Sequence, residues 1–373
     1  MVVRSSCCPC CKAAPPVESS AKCGVDLASI RSICILRLSA IGDTCNAASV
    51  VQAIQEHYPS ARITWIIGKA EAALLRGLPG IELIVFDKRT GLAAYRKLRQ
   101  DLAGRRFDVL LLMQLALRAN LASLCVSAKR RIGYDKARSK ELHSLFINER
   151  IAPASKPHVL DTFRQFLTAL SIPLTPPRWN IPVTPEDELW ARSQLAPTAQ
   201  KHLVLVPAAS AQERNWLPER YAQVAEHAHA KGFAIYLCGG PAEPEVELAA
   251  RVASLCKVPV YNLVGQSSLK QLFALIKNAT LVIAPDTGPT HMAVAAGTPA
   301  IGLYAHSNPA RTGPYGLQHY TVDAYTPLLQ QALGSDAPNA PWGKRLKGKD
   351  LMNHISVKQV CDMFDRLTEE QAL

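Results

Sequence analysis

The 373-residue chain predicts an α/β protein built from two Rossmann-like units. Three observations carry that reading: strand-like apolar runs alternate with stretches of helical spacing along two segments, a proline-dense stretch separates the segments, and the apolar runs end repeatedly in small residues and glycine. The length exceeds what one hydrophobic core serves, so two cores are expected. A composition of 48% hydrophobic, 19% charged and 6% aromatic residues is that of an ordinary globular protein.

Order begins at "SICILRLSAIGDTCNAASVVQAIQEHY" (32–58), which reads as a buried strand, a tight glycine-containing turn and a helix that carries Ala48, Val51 and Ile54 at helical spacing. "RITWIIG" follows as a strand, "AEAALLRGL" as a helix, "IELIVFD" as a strand, residues 91–103 as a basic helix and "FDVLLLM" as a strand. The proline-rich stretch 171–190 breaks the rhythm and reads as the linker between the units. A second alternation then runs through the strands "KHLVLVPAA", "FAIYLCGGP", "VPVYNLVG", "TLVIAPDTG" and "PAIGLYA", with helices starting at Pro218, Pro244, Ser268 and Thr290. After "RTGPYG" the pattern weakens until a closing helix over 353–370. The boundaries that result are a tail without core-forming composition (1–28), a first unit (29–175), a second unit (176–350) and a closing segment (351–373).

A formal charge of +12 asks for an anionic partner. Residues 87–150 hold fifteen Lys and Arg against six Asp and Glu, so this stretch is either a solvated basic face or a docking surface for an anionic acceptor or membrane. No apolar run reaches the length that spans a bilayer, and the first residues are cysteine-rich where a signal peptide needs its apolar stretch, so neither a transmembrane helix nor export is expected. Five of the eleven cysteines lie in the first 23 residues, and "CCPCC" lacks the paired spacing of a zinc site.

Four strand ends could carry chemistry. In "RLSAIGDT" (37–44), Asp43 stands where a carboxylate serves either as a general base or as a plain helix N-cap, and spacing does not choose between them. In "ASAQERNWLPERY" (209–221), Arg214 and Ser210 could grip phosphate oxygens, or the arginine could belong to a surface ion pair. Gly239 and Gly240 of "GGPAEPE" permit close backbone approach, a weak signal alone. Finally, "APDTGPTH" (284–291) places Asp286, Thr287 and Gly288 after a strand, with His291 just inside a helix. That spacing suits neither a metal nor a nucleophile relay, whereas a diphosphate-sugar fits: helix N–H groups and Thr287 for phosphate, Asp286 for sugar hydroxyls, Gly288 for close approach.

The order "ILRLSAIGD", "RNWLPERY", "LCGGPAE", "NLVGQSSLKQLFALIKNATLVIAPDTGPTH" and "NPARTGPYG" resembles the bacterial heptosyltransferases of glycosyltransferase family nine, over about 31–320. The resemblance implies the GT-B fold, with an N-terminal acceptor domain, a C-terminal nucleotide-sugar domain and the active site between them. It also implies inverting transfer of heptose from ADP-heptose to the lipopolysaccharide inner core, with no cofactor beyond the donor and no obligatory metal. By the same resemblance Asp43 is the base. Arg214, where the family more often has lysine, meets the diphosphate. Asp286, Thr287, Gly288 and His291 match the family's donor-binding element, although Pro289 and Thr290 replace its more usual Leu-Ser; Ser210, Gly239 and Gly240 are expected to join them from their own place at strand ends. The basic stretch, with Lys88, Arg89, Arg130 and Arg131, is expected to face a Kdo-bearing lipid A acceptor, with the enzyme in the cytoplasm and peripheral to the inner membrane. A sugar-nucleotide 2-epimerase is the rival enzyme class. A basic nucleic-acid binder is the non-enzymatic rival, but no recognition motif supports it and no nucleic-acid partner is expected.

Overall fold

The computed structural model describes residues 30–373. The expected tail and its "CCPCC" cluster lie outside the described residues.

In the first unit β1 (Ser32–Leu36) leads into α1 (Ile41–His57), then β2 (Arg62–Gly68), α2 (Lys69–Leu75), β3 (Ile81–Phe86), α3 (Leu92–Asp101) and β4 (Phe107–Leu112). It continues with α4 (Leu117–Ser123), β5 (Ala128–Gly133), β6 (Glu149–Arg150) and α5 (Val159–Ala169). The proline-dense segment has no regular structure from 172 to 184, shorter than expected, because Pro185 takes the first turn of the next helix.

That helix, α6 (Pro185–Gln194), opens the second unit. After it come β7 (Lys201–Leu205), α7 (Pro218–Ala230), β8 (Phe233–Leu237), α8 (Glu243–Leu255), β9 (Val260–Asn262), α9 (Leu269–Asn278), β10 (Leu281–Pro285) and α10 (Gly288–Ala296). β11 (Ala300–Tyr304), α11 (Pro309–Thr312), β12 (Thr321–Asp323), α12 (Tyr325–Leu333) and α13 (Val357–Glu370) complete it. The closing helix α13 buries Val360, Phe364 and Leu367 in the core of this second unit.

Both sheets are wholly parallel and six-stranded, with orders β3-β2-β1-β4-β5-β6 and β12-β11-β10-β7-β8-β9. Strand order therefore reverses between β1 and β4 in one sheet and between β7 and β10 in the other, and the crevice at such a reversal is where open α/β sheets hold ligands. The central strands are apolar on both faces because helices cover each side, as the uninterrupted runs "ICIL" and "LVIAP" require.

One hydrophobic cluster runs from the first unit into the second, through Cys45 and Ala48 of α1 to Met292 and Ala293 of α10. α1 and α10 meet at two glycines. A Cβ on Gly42 would lie 2.3 Å from His291 Cδ2, and one on Gly288 would lie 3.2 Å from Ile41 Cγ2. This corrects two expectations. Gly42 sits inside the first turn of α1 and serves helix contact rather than a tight turn, and Gly288 makes room for α1. α10 also starts at Gly288, with Pro289 in its first turn, two residues before the expected Thr290. Further links cross between the units: Trp179 Nε1–H donates to Cys45 O at 2.8 Å, His158 Nε2 meets Gly313 O at 3.0 Å, and the buried Lys270 Nζ donates to Arg76 O at 2.9 Å. Among the described residues no helix is long and apolar enough to cross a membrane.

Candidate active site between two parallel sheets

The loops that leave β1, β7, β8 and β10 converge on a cleft of about 600 Å³. Asp43, Ser210, Arg214, Gly239, Gly240, Asp286, Thr287, Gly288 and His291 all line it. Residues spread over roughly 250 positions meet because every one follows the carboxyl end of a parallel strand.

Asp43 is not an N-cap. The cap position is Ala40, and Asp43 lies three residues into α1, with its Oδ2 held by the Nη2 of Arg37. Arg37 is itself clamped: Nη1 donates to Met113 O at 2.6 Å, and its guanidinium lies 5.0 Å from the Phe163 ring centre. Only 8% of Arg37 is exposed. No described residue donates a hydrogen bond to Asp43 Oδ1. The carboxylate is thus fixed by one oxygen and open at the other, the arrangement a proton acceptor needs.

Arg214 turns inward instead of joining a surface ion pair. Its Nη2 donates to Ser210 Oγ at 2.9 Å, its Nη1 donates to the Asp286 carbonyl and lies 3.5 Å from Asp286 Oδ2. The Asp286 carboxylate also accepts from Ser307 Oγ at 2.6 Å. Ser307 follows β11 in the two residues between "PAIGLYA" and "NPARTGPYG", which the sequence reading passed over. The N–H groups of the first turn of α10 lie beside this set, and its Thr287 cap makes no side-chain capping bond, so those donors stay free for an anion. His291, 8% exposed, rests against Gly42, and burial pushes its imidazole pKa down although Asp286 and Asp43 pull the other way. Its Nδ1 has no hydrogen-bond partner.

The glycines after β8 do more than permit approach. Gly240 N–H donates to Glu245 Oε2 at 2.7 Å, which puts a further carboxylate in the cleft wall beside Asp43 and Asp286. Glu245 stands in the quoted "GGPAEPE", one helical turn into α8, and that spacing was the available signal for it. Among the described residues no group of three or more His, Cys, Asp or Glu side chains has the arrangement to hold a metal ion.

A second cavity of about 680 Å³ opens on the other side of Asp43. Asp43, Val159 and Arg311 line both cavities. Arg138, Lys140 and Lys156 add positive charge to the second one, where Asp43 is the one acidic side chain.

The four basic residues singled out in the sequence are not brought together there. Lys88 and Arg89 line a separate cavity of about 520 Å³, and Arg89 is paired with Asp87 at 3.0 Å. Arg130 is forked onto both Glu149 oxygens at 2.8 Å. Arg131 donates to Phe146 O and Val126 O at 2.8 Å and to Ser123 O at 2.9 Å. Arg130 and Arg131 belong to β5, a strand that the density of charge hid, and their guanidiniums satisfy the first unit's own acceptors.

The sequence model of "Glycosyltransferase family 9 (heptosyltransferase)" matches residues 95–341. A Haemophilus influenzae protein named lipopolysaccharide core heptosyltransferase OpsX is 42% identical over 337 residues, 90% of this chain and 97% of its own length. The chain belongs to glycosyltransferase family 9. Lipopolysaccharide heptosyltransferase 1 of Pseudomonas aeruginosa is a more distant relative in sequence, 24% identical over 84% of this chain and 86% of its own. Among solved structures, a family 9 glycosyl transferase from Veillonella parvula superposes with a TM-score of 0.76 at 21% identity, covering 93% of this chain and 99% of that one. The Escherichia coli heptosyltransferase WaaC with ADP gives 0.69 at 19% identity, over 90% and 99%. These matches establish the GT-B fold, and family membership decides for a glycosyltransferase over the epimerase and nucleic-acid readings. The family match begins at residue 95, so Asp43 and α1 lie outside it, whereas the Haemophilus relative spans nine-tenths of the chain.

Proposed function

We propose that this glycosyltransferase moves heptose from ADP-heptose to the inner core of lipopolysaccharide, with inversion at the anomeric carbon. The observation that carries this reading is Asp43 on the wall shared by the two cavities, fixed through Oδ2 and open at Oδ1. The names of the relatives supply the substrate class: the Haemophilus protein is called a lipopolysaccharide core heptosyltransferase, and one solved relative holds ADP.

The donor lies in the first cavity. Its diphosphate meets Arg214, Ser210 and the N–H groups of α10, the carboxylate of Asp286 receives sugar hydroxyls, and Glu245 beside Gly240 accepts hydroxyls of the ribose. The acceptor enters the second cavity, where Lys140, Lys156 and Arg311 meet its acidic groups in place of the basic quartet read from the sequence, while Arg138 is held by Asp135 and Ala152 O. Asp43 takes the proton of the acceptor hydroxyl. That oxygen forms a bond to the anomeric carbon from the face opposite the leaving group, and the bond to ADP breaks with its electron pair going to the phosphate oxygen. Arg214 and α10 balance the charge that develops, so the sequence of steps needs one carboxylate and no metal. The enzyme works in the cytoplasm, peripheral to the inner membrane where a Kdo-bearing lipid A acceptor resides.

Incubation of the purified chain with ADP-heptose and, separately, Kdo-lipid A or its heptosylated product tests this. ADP release with a gain of one heptose in the mass of either acceptor is expected. Transfer from another nucleotide sugar and none from ADP-heptose would overturn the donor assignment.

A further inference from the structure

An apolar face lies on the first unit beside the acceptor-side cavities. α4 and its C-cap Leu124 leave Leu117, Leu121 and Leu124 exposed at 45, 40 and 67%, and with Leu124 still in helical backbone their spacing of four and three residues puts them on one side. Ala119, Asn120, Ala122 and Ser123 on its other side are buried. Leu142 and Leu145, at 66 and 76% exposed, flank the buried His143. Three contacts press this turn against α4. Asn120 Nδ2 donates to Glu141 O at 2.8 Å, Asn120 Oδ1 meets His143 Nδ1 at 2.9 Å, and the Glu141 carboxylate accepts from Leu117 N–H. α3 meets α4 through Tyr95 OH, 3.5 Å from Arg118 O, and meets the turn after α4 through Cys125 Sγ, 3.8 Å from Tyr95 O, and the exposed Leu92 lies one turn before Tyr95.

Six large leucines left in water on neighbouring elements are more than the scattered apolar residues of an ordinary surface. Around them the charge is mostly of one sign. Arg99, within electrostatic reach of Cys125, and Arg118, within reach of Tyr95, are exposed and carry no ion pair among the described residues. Arg96, one turn after Leu92 in α3, and Lys140, two residues before Leu142, are exposed as well.

We propose that this leucine face docks on an anionic lipid bilayer, with its leucines at headgroup depth and the rim arginines on lipid phosphates. Charge complementarity chooses the bilayer, since a cationic rim around leucines matches acidic headgroups over an apolar layer. Continuity with the site supports it. Ala116, the residue before α4, lines both the Asp43 cavity and the Lys88 cavity, Lys140 lines the first and Arg118 the second. A docked enzyme therefore opens its acceptor cavity toward the membrane surface, and an acceptor anchored by acyl chains reaches Asp43 without leaving the bilayer. The inference rests on the reading that the acceptor is a lipid-linked sugar.

Flotation of the full chain with vesicles of phosphatidylglycerol and phosphatidylcholine, and with vesicles of phosphatidylcholine alone, tests it. The wild type binds the anionic vesicles and not the neutral ones. The variant Leu121→Glu/Leu124→Glu/Leu145→Glu loses at least about tenfold of that binding, and Arg99→Glu weakens it in a salt-dependent way. The triple variant, with circular dichroism and ADP binding like the wild type, transfers heptose at an unchanged rate to a deacylated, water-soluble acceptor and more slowly to a vesicle-embedded one. Equal flotation of wild type and triple variant overturns the proposal, as does a wild type that stays in solution. A dimer that the triple variant turns into a monomer overturns it too, by assigning the face to a second copy of the chain. Absence of transfer to both acceptors by the wild type counts against the proposed function instead, and leaves the flotation result standing.

Discussion

Replacing Asp43 by asparagine separates its chemistry from its packing. The amide keeps the volume of the carboxylate, and its oxygen can still accept from Arg37 Nη2, which Met113 O and the Phe163 ring hold in place. What disappears is the negative charge and the open proton acceptor. Loss of a general base lowers the rate by roughly 10²–10⁴, which at about 1.36 kcal/mol per decade raises the barrier by about 3–5 kcal/mol. Stability falls for a different reason: Arg37, 8% exposed, keeps a hydrogen bond but loses its counter-charge, a cost of about 1–3 kcal/mol. Single-turnover ADP release at saturating donor and acceptor measures the first effect, calorimetric unfolding the second, and titration with ADP the donor site. ADP affinity stays within about threefold of wild type, because Arg214 and Asp286 make no contact through Asp43. A rate within tenfold of wild type would refute the base assignment. A lost ADP affinity at unchanged rate would show instead that Asp43 belongs to the donor grip.

Three further outcomes follow from the geometry. Gly42→Ala places a methyl group 2.3 Å from His291 Cδ2 and should cost about 1–3 kcal/mol by overpacking; an unchanged melting temperature and donor KM would mean that α1 and α10 do not meet as described. Arg214→Lys retains the charge but not the fork onto Ser210 and the Asp286 carbonyl, so donor KM rises by about tenfold while acceptor KM holds; equal changes in both would contradict a donor-side role. His158 is neutral in the fold, with burial pushing its pKa down to about 4, because Nδ1 accepts from Leu160 N–H and Nε2 must then donate to Gly313 O. The unfolded chain binds this proton near pH 6.5 and the folded chain only near 4, so stability falls as pH drops through that window. His158→Gln keeps both hydrogen-bonding roles without titrating, and a melting temperature that declines with pH as steeply as in wild type would exclude His158 as the source.

Much of this protein was legible in local pattern. Parallel strands covered by helices on both faces must be apolar throughout, so "ICIL", "LLLM" and "LVIAP" announce themselves, and proline or serine at helix starts marks α7 to α9, whereas α6 was hidden inside the proline-dense stretch. The chemistry at strand ends was legible for the same reason: parallel topology sends each carboxyl end to one crevice, so Asp43, Arg214, Gly240 and Asp286 could be expected together before any coordinates. β5 was hidden because Lys129, Arg130 and Arg131 look like a solvated run, and the short β12 and α12 because they follow a stretch with weak periodicity.

Partnership, in contrast, depends on direction and distance, which residue type and spacing do not contain. Arg130 and Arg131 carry the same charge as Lys140 and Arg311, yet the pleat of β5 turns the first two onto internal acceptors and the folding of the second unit over the first brings Arg311 beside Asp43. Gly42 reads as a turn in one dimension and is the contact point of two helices in three. The amino-acid sequence by itself determined the two parallel sheets and the family, because those follow from periodicity and residue order. Which cations line the cavity beside Asp43, which of its oxygens stays open and which leucines remain in water were decided only by the tertiary structure, where side chains far apart in the chain compete for the same few partners.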